Sequence, residues 1–228
     1  MKIAGNLTVN DWNELEKKIK DSENELWGLA AHFFEERIKT RYLAPIHAIQ
    51  NLNLKEGEGF AMVNLQCSLI ETFECFINGW LFYLDDNCSG CKKNKIYWKN
   101  ANKEEISKSN KDIFISFFDK FKDKFDGIDG ESFYSNVRCG LLHETQTKNN
   151  WVINVADEKN KKCYEEKGEK YIIYRNNFQN RLEKLLEEYQ QTLINGKNFR
   201  GKEEFRGIST EDLRLNFIAK MTHICKQS

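Results

Sequence analysis

Phe60-Ala-Met-Val-Asn-Leu-Gln-Cys-Ser-Leu-Ile-Glu-Thr-Phe-Glu-Cys-Phe-Ile-Asn-Gly-Trp-Leu-Phe-Tyr83 is the stretch on which the fold turns. Phe60, Val63, Cys67, Ile70, Phe73, Ile77 and Trp80 recur at intervals of three and four, and Asn64, Ser68, Glu71, Thr72, Glu74 and Asn78 fall largely between them. That is the period of a helix with one broad buried face. The spacing predicts a central helix over about residues 60–83, entered through a turn at Lys55-Glu-Gly-Glu-Gly59.

The same period extends in both directions. Upstream, Thr8 and Asn10 precede a helix start at Asp11-Trp12. A longer helix is expected from about Ser22 to Tyr42, where Leu26, Leu29, Ala30, Phe33, Phe34 and Ile38 share a side. Pro45 removes a donor and should break or kink it near Leu43, leaving a short helix over Ile46 to Leu54. Downstream, Asp85 to Ser109 reads as a polar connection. Helices are expected over Lys111 to Phe125 and, beyond a Gly127–Gly130 turn, over Ser132 to Glu144. After Thr147 the composition turns β-branched and aromatic: Trp151 to Val155 and Lys170 to Tyr174 read as a two-stranded hairpin. Asn177 to Ile194 is an amphipathic helix ended by Asn195-Gly196, and Thr210 is the expected cap of a last helix, Glu211 to Cys225. The expected architecture is mainly α: a helical bundle over residues 1–147, with a small β-hairpin insertion and C-terminal helices over 148–228 packed on the same domain.

Composition narrows the chemistry. The 228 residues suffice for one large core, and a single proline favours long helices. Lys plus Arg and Asp plus Glu number 35 each, so no global field attracts nucleic acid and any such site must be local. There is no leader-like start and no run of 18 apolar residues, which predicts a cytoplasmic protein without a membrane span and with reduced cysteines. The seven cysteines include Cys88-x2-Cys91, half the spacing of a zinc site. A second pair is missing, so no metal and no cofactor are expected unless two chains pool their thiols.

Eight arginines and four histidines would by chance supply roughly 0.4 pairs with four to six residues between an Arg and a following His. There are two: Arg41-x5-His47 and Arg138-x4-His143. Pro45 interrupts the first. The second lies in Phe133-Tyr-Ser-Asn-Val-Arg-Cys-Gly-Leu-Leu-His-Glu144, late in the helical region.

Together with Leu65-Gln-Cys-Ser-Leu-Ile-Glu-Thr72, that stretch resembles the HEPN superfamily of ribonucleases, and in particular a group of uncharacterised bacterial HEPN-like proteins. The resemblance covers about residues 60–143. It departs from the family at Cys139, where many members carry Asn or another polar residue. It implies a HEPN-like helical bundle, a symmetric homodimer, and metal-independent endonuclease cleavage of RNA in which the ribose 2′-OH attacks the adjacent phosphate. His143 would move the proton and Arg138 would hold the phosphate charge. Glu71, Glu144 and Cys139 are the supporting candidates, Glu71 by orienting Arg138 or His143. A toxin or antiviral-defence effector, with an antitoxin or defence-system partner, is the setting that fits such an enzyme.

On an ideal α-helix, five residues turn through about 140°, so Arg138 and His143 would not share a face unless Gly140 permits a distortion or the site is composite. Arg138 could instead serve a structural ion pair with Glu71 or Glu144. Glu71 and Glu74 could be an acid/base pair or an ion-paired helix edge. Lys92, Lys93, Lys95, Trp98 and Lys99, with Tyr97 and Lys103, are the one basic cluster with interleaved aromatics, and are the candidate RNA-binding residues; the alternative is a solvated connector. The competing functional class is a non-catalytic HEPN-like module that dimerises or scaffolds RNA or a protein partner.

Overall fold

The computed structural model describes residues 1–19, 25–52, 54, 56–85 and 95–227. In chain order these form β1 (Lys2–Ala4), β2 (Leu7–Thr8), α1 (Val9–Ile19), α2 (Trp27–Ile38), α3 (Ala44–Leu52), α4 (Glu58–Asn78), β3 (Leu81–Asp85), β4 (Lys95–Lys99), β5 (Glu105–Ile106), α5 (Asn110–Lys120), α6 (Gly130–Phe133), β6 (Trp151–Asn154), β7 (Tyr164–Lys167), β8 (Lys170–Tyr174), α7 (Arg175–Asn195), β9 (Glu204–Phe205), β10 (Ile208–Ser209) and α8 (Thr210–Lys226). The protein is mainly helical with small sheets.

Local chemistry accounts for the helix starts. Thr8 and Asp11 cap α1 reciprocally: Thr8 N–H donates to Asp11 Oδ2 at 2.7 Å and Asp11 N–H to Thr8 Oγ1 at 3.3 Å. Ser209, one residue before the expected Thr210, caps α8 by accepting from Asp212 N–H. The expected start at Ser22 lies outside the described residues.

Four expectations are corrected. Pro45 does not end the helix begun by α2. A π-helical segment, Lys39–Leu43, carries the chain into α3, and its wider turn makes room around the proline. The central helix ends at Asn78 rather than near Tyr83. Gly79 takes φ +64°, which reverses the chain, and Leu81–Asp85 becomes a strand. The supposed connection 85–109 contributes β4 and β5 to an antiparallel β3-β4-β5 sheet, in which the adjacent aromatics Tyr97 and Trp98 of β4 pair with Tyr83 and Phe82 of β3. Finally, β6 and β8 are parallel and do not form a hairpin. The tight hairpin is β7–β8 around Gly168, giving the order β6-β8-β7. The connection from β6 to β8 runs through β7, whose antiparallel course returns the chain so that β8 can pair parallel to β6.

Two compact units interleave along the chain: Met1–Arg37, Thr72–Ser109 and Gln190–Ser228 form one, and Ile38–Glu71 and Asn110–Tyr189 the other. The second unit runs through position 147 without a boundary. The core of the first is aromatic: Trp12 packs edge-on to Phe33 and Phe217, and Phe34 to Phe76. Along α8, Asn216, Lys220 and His223 bond in turn to the carbonyls of Ile77, Trp80 and Phe82, which seals the end of α4 and the start of β3. The core of the second is a phenylalanine cluster in which Phe133 meets Phe114, Phe118 and Phe178. Among the described residues, Glu58–Asn78 is one helix long and apolar enough to cross a membrane, and 61% of that window is buried within the protein.

The start of α4 carries a buried ion pair of Arg175 with Glu58. The Arg175 hydrogen bond holds the Glu58 carboxyl below its ordinary 4.5, against the opposing effect of burial. A depressed carboxylate stabilises the fold above its unfolded pKa, and that contribution is lost as pH falls through the folded value. Glu58→Gln should therefore be less stable than wild type at neutral pH and show a flatter loss of stability below about pH 4.5. Urea midpoints measured across that range check both signs; equal acid slopes would contradict the assignment.

Candidate functional site

The helix carrying Arg138 and His143 starts at Asp129, whose side chain accepts from Ser132 N–H at 2.7 Å. Beyond α6 it continues as two π-helical segments, Tyr134–Arg138 and Gly140–Glu144. Cys139 N–H bonds to Tyr134 O and Thr145 N–H to Gly140 O, each five residues back. A π turn stacks positions five apart, so these segments reduce the 140° or so that would divide Arg138 from His143 on an α-helix.

The cause is the chain's return. Thr145 at φ 58° reverses it, and Lys148 N–H then donates to Asn136 O at 2.9 Å. An outside donor reaching a mid-helix carbonyl is the kind of insertion that opens an α turn. Asn149 Nδ2 fastens the same segment to Asn136 Oδ1 at 2.7 Å. Gly140 makes the return sterically feasible, since a Cβ there would lie 2.5 Å from the Gln146 carbonyl oxygen. Gly140→Ala must displace backbone, and should cost about 1–3 kcal/mol of stability. It should also disturb the spacing of Arg138 and His143. A melting curve indistinguishable from wild type would contradict this.

Glu71, near the middle of α4, accepts from Arg138 Nε at 2.9 Å. Of the two partners weighed from sequence, the ion pair is with Glu71, while Glu144 is exposed. The Arg138 guanidinium also lies 5.6 Å from the centroid of the Tyr134 ring. Burial opposes the charge on Arg138, but the attraction and hydrogen bond of Glu71 prevail and its pKa is raised. Tyr134 is likewise raised, by burial first and then by hydrogen bonding with Cys139, so its hydroxyl stays protonated. Cys67 is buried beside Glu71, Arg138 and Cys139, and burial pushes its thiol up, keeping it neutral. Tyr134 was not among the sequence candidates; its i,i+4 relation to Arg138 was the available signal.

The Nη1 and Nη2 groups of Arg138 make no hydrogen bond among the described residues. His143 is exposed and has no hydrogen-bond partner among them. Cys139 is half-buried between the two. The arrangement thus presents an anchored guanidinium with donors to spare and a solvent-facing imidazole on one short helical segment. Four N–H donors in a planar fork suit a phosphate, and an imidazole can exchange protons near neutrality.

The remaining candidates are scattered. Glu74 is buried and accepts from Asn78, as part of helix structure rather than an acid/base pair with Glu71. Arg41 and His47 stand on a continuous helix despite Pro45, but His47 Nε2 is engaged by Glu183 at 2.7 Å. Cys88, Cys91, Lys92 and Lys93 lie outside the described residues, and Lys95 is placed only as part of β4. Trp98 is 6% exposed and packs edge-on to Phe82, so it offers no ring to a ligand, correcting its assignment as an RNA contact. Lys99 is half-buried, with its ammonium 5.2 Å from the Tyr83 centroid. Among the described residues no group of three His, Cys, Asp or Glu could hold a metal.

Comparison with protein-family models, curated proteins and solved structures finds no match to this chain.

Proposed function

We propose that the segment from Arg138 to His143 is the active site of a metal-independent endoribonuclease of HEPN type, acting as a toxin or phage-defence effector. The observation that carries this reading is the division of labour on Arg138. Its Nε is held by Glu71, which fixes the guanidinium, while Nη1 and Nη2 are left without a partner among the described residues. A bidentate clamp on a phosphodiester needs those donors.

In the proposed reaction neutral His143 accepts the proton of a ribose 2′-OH. The 2′-oxygen attacks the adjacent phosphorus and the bond from phosphorus to the 5′-oxygen breaks. The products are a 2′,3′-cyclic phosphate and a 5′-hydroxyl that takes up a proton. Arg138 stabilises charge gathering on the non-bridging oxygens. No step calls for a metal. A homodimer in which two such helices face each other would let both chains hold one phosphate.

A scaffold or dimerisation role is the second reading, favoured by the low exposure of the Arg138 side chain, 16%. The test is cleavage of bulk tRNA and a labelled RNA hairpin in EDTA, with His143→Ala alongside. Cleavage that survives chelation and requires His143 supports the enzyme. No cleavage, or equal cleavage by both proteins, rejects it for the binding module.

A further inference from the structure

On the β3-β4-β5 sheet, Tyr83 and Tyr97 are directly paired in register and share a face. Their rings stack at 5.3 Å between centroids, only 13° from parallel. Tyr83 also meets the His223 ring, at 4.7 Å between centroids and tilted by 56°. His223 is itself fixed from α8: its Nε2 lies 2.8 Å from the Phe82 carbonyl oxygen, which can only accept, so Nε2 carries the proton. The result is a run of three rings in contact, His223, Tyr83 and Tyr97, with His223 buried. No described ring continues it beyond Tyr97, which is half-buried.

Charge accompanies the tyrosine pair. Lys99 shares the face, two residues on from Tyr97, with its ammonium 5.2 Å from the Tyr83 centroid and 5.7 Å from that of Tyr97. It makes no ion pair among the described residues, although Glu105 is its register partner on β5. A flat π surface beside an available ammonium is the pairing that takes a base and its phosphate. The hydroxyls of Tyr83 and Tyr97 have no hydrogen-bond partner among the described residues, which leaves polar edges for a wet ligand. A duplex hides its base faces, so the chemistry selects single strands.

We propose that Tyr97, backed by Tyr83, stacks a base of single-stranded RNA, with Lys99 holding the adjoining phosphate. The choice of RNA rests on the reading of Arg138 and His143; the ring geometry does not. This places the stacking role on Tyr97 in place of the buried Trp98.

The test is fluorescence anisotropy of the full-length protein with a labelled 2′-O-methyl oligouridine, alone and as a duplex with oligoadenosine. The methyl group blocks 2′-OH attack, so this binding result is independent of cleavage, and either reading can fail alone. Wild type should bind the single strand more tightly than the duplex. Tyr97→Leu should weaken single-strand binding about tenfold, and Tyr97→Phe, which keeps the ring, by less than about twofold. Lys99→Gln should lower the slope of log affinity against log salt by about 0.7. Circular dichroism melting verifies that the variants fold; should Tyr97→Leu fail to, Tyr97→Phe and Lys99→Gln decide. Absence of binding, equal affinity for the duplex, unchanged binding in folded Tyr97→Leu, or an unchanged salt slope in Lys99→Gln overturns the proposal.

Discussion

If the proposed ribonuclease reading holds, His143→Ala reduces RNA cleavage by about 10² to 10⁴-fold, the range for removing a general acid or base. The side chain is exposed and has no hydrogen-bond partner among the described residues, so its removal leaves no buried group unsatisfied and the fold should melt as wild type. Arg138 is different. Arg138→Lys keeps the charge but loses the planar fork, so it should lose about 10² to 10³-fold, the usual effect of removing an electrostatic stabiliser of the transition state. Arg138→Ala should also destabilise the protein, because the half-buried Glu71 carboxylate loses its partner. Glu71→Gln separates the roles. It retains an acceptor near Arg138 Nε, so its activity should fall between wild type and Arg138→Lys. Initial rates with denaturant midpoints on the same preparations measure this series. Full activity in His143→Ala, or a Glu71→Gln defect larger than that of Arg138→Lys, would refute the assigned roles.

Phe133→Ala should cost about 3–5 kcal/mol, the loss typical of truncating a fully buried phenylalanine. Phe133 is fully buried. Its ring lies 4.8 Å from that of Phe118 and stacks at 6.0 Å, 8° from parallel, on that of Phe178. It is also the last residue of α6, immediately before the π segment that leads to Arg138. Truncation leaves a cavity that aromatic neighbours on separate helices cannot close without moving. For a chain of this size the melting temperature should fall by roughly 10 °C. Phe133→Leu, which refills part of the space, should lose less than half as much. A shift of under about 2 °C for Phe133→Ala would show that the cluster does not support the helix.

Much of the helical framework was legible in sequence because it depends on local period and local caps. The stripe from Val63 to Ile77 marked a buried helix, and Thr8 and Asn10 before Asp11 marked a helix start within two residues of that of α1. The spacing of Arg138 and His143 drew attention to the segment, and Glu71 was suspected as the partner of Arg138. What sequence period could not supply was any feature set by groups distant along the chain. The π turns depend on Lys148 reaching back to Asn136 and on the close pass over Gly140; α-helical spacing alone places Arg138 and His143 on different faces. The parallel pairing of β6 with β8 depends on β7 returning the chain between them, for which the composition of the two strands carries no signal. Trp98 and Tyr97 are adjacent in sequence and similar in character. Alternation along β4 sends them to opposite faces, and only the packed structure decides which is buried. Periodicity therefore determined which segments form helices, since the interactions that select a helix lie within four residues. The tertiary structure alone decided where the helix widens, how the strands pair and which ring meets solvent, since those outcomes are set by contacts between segments far apart in the chain.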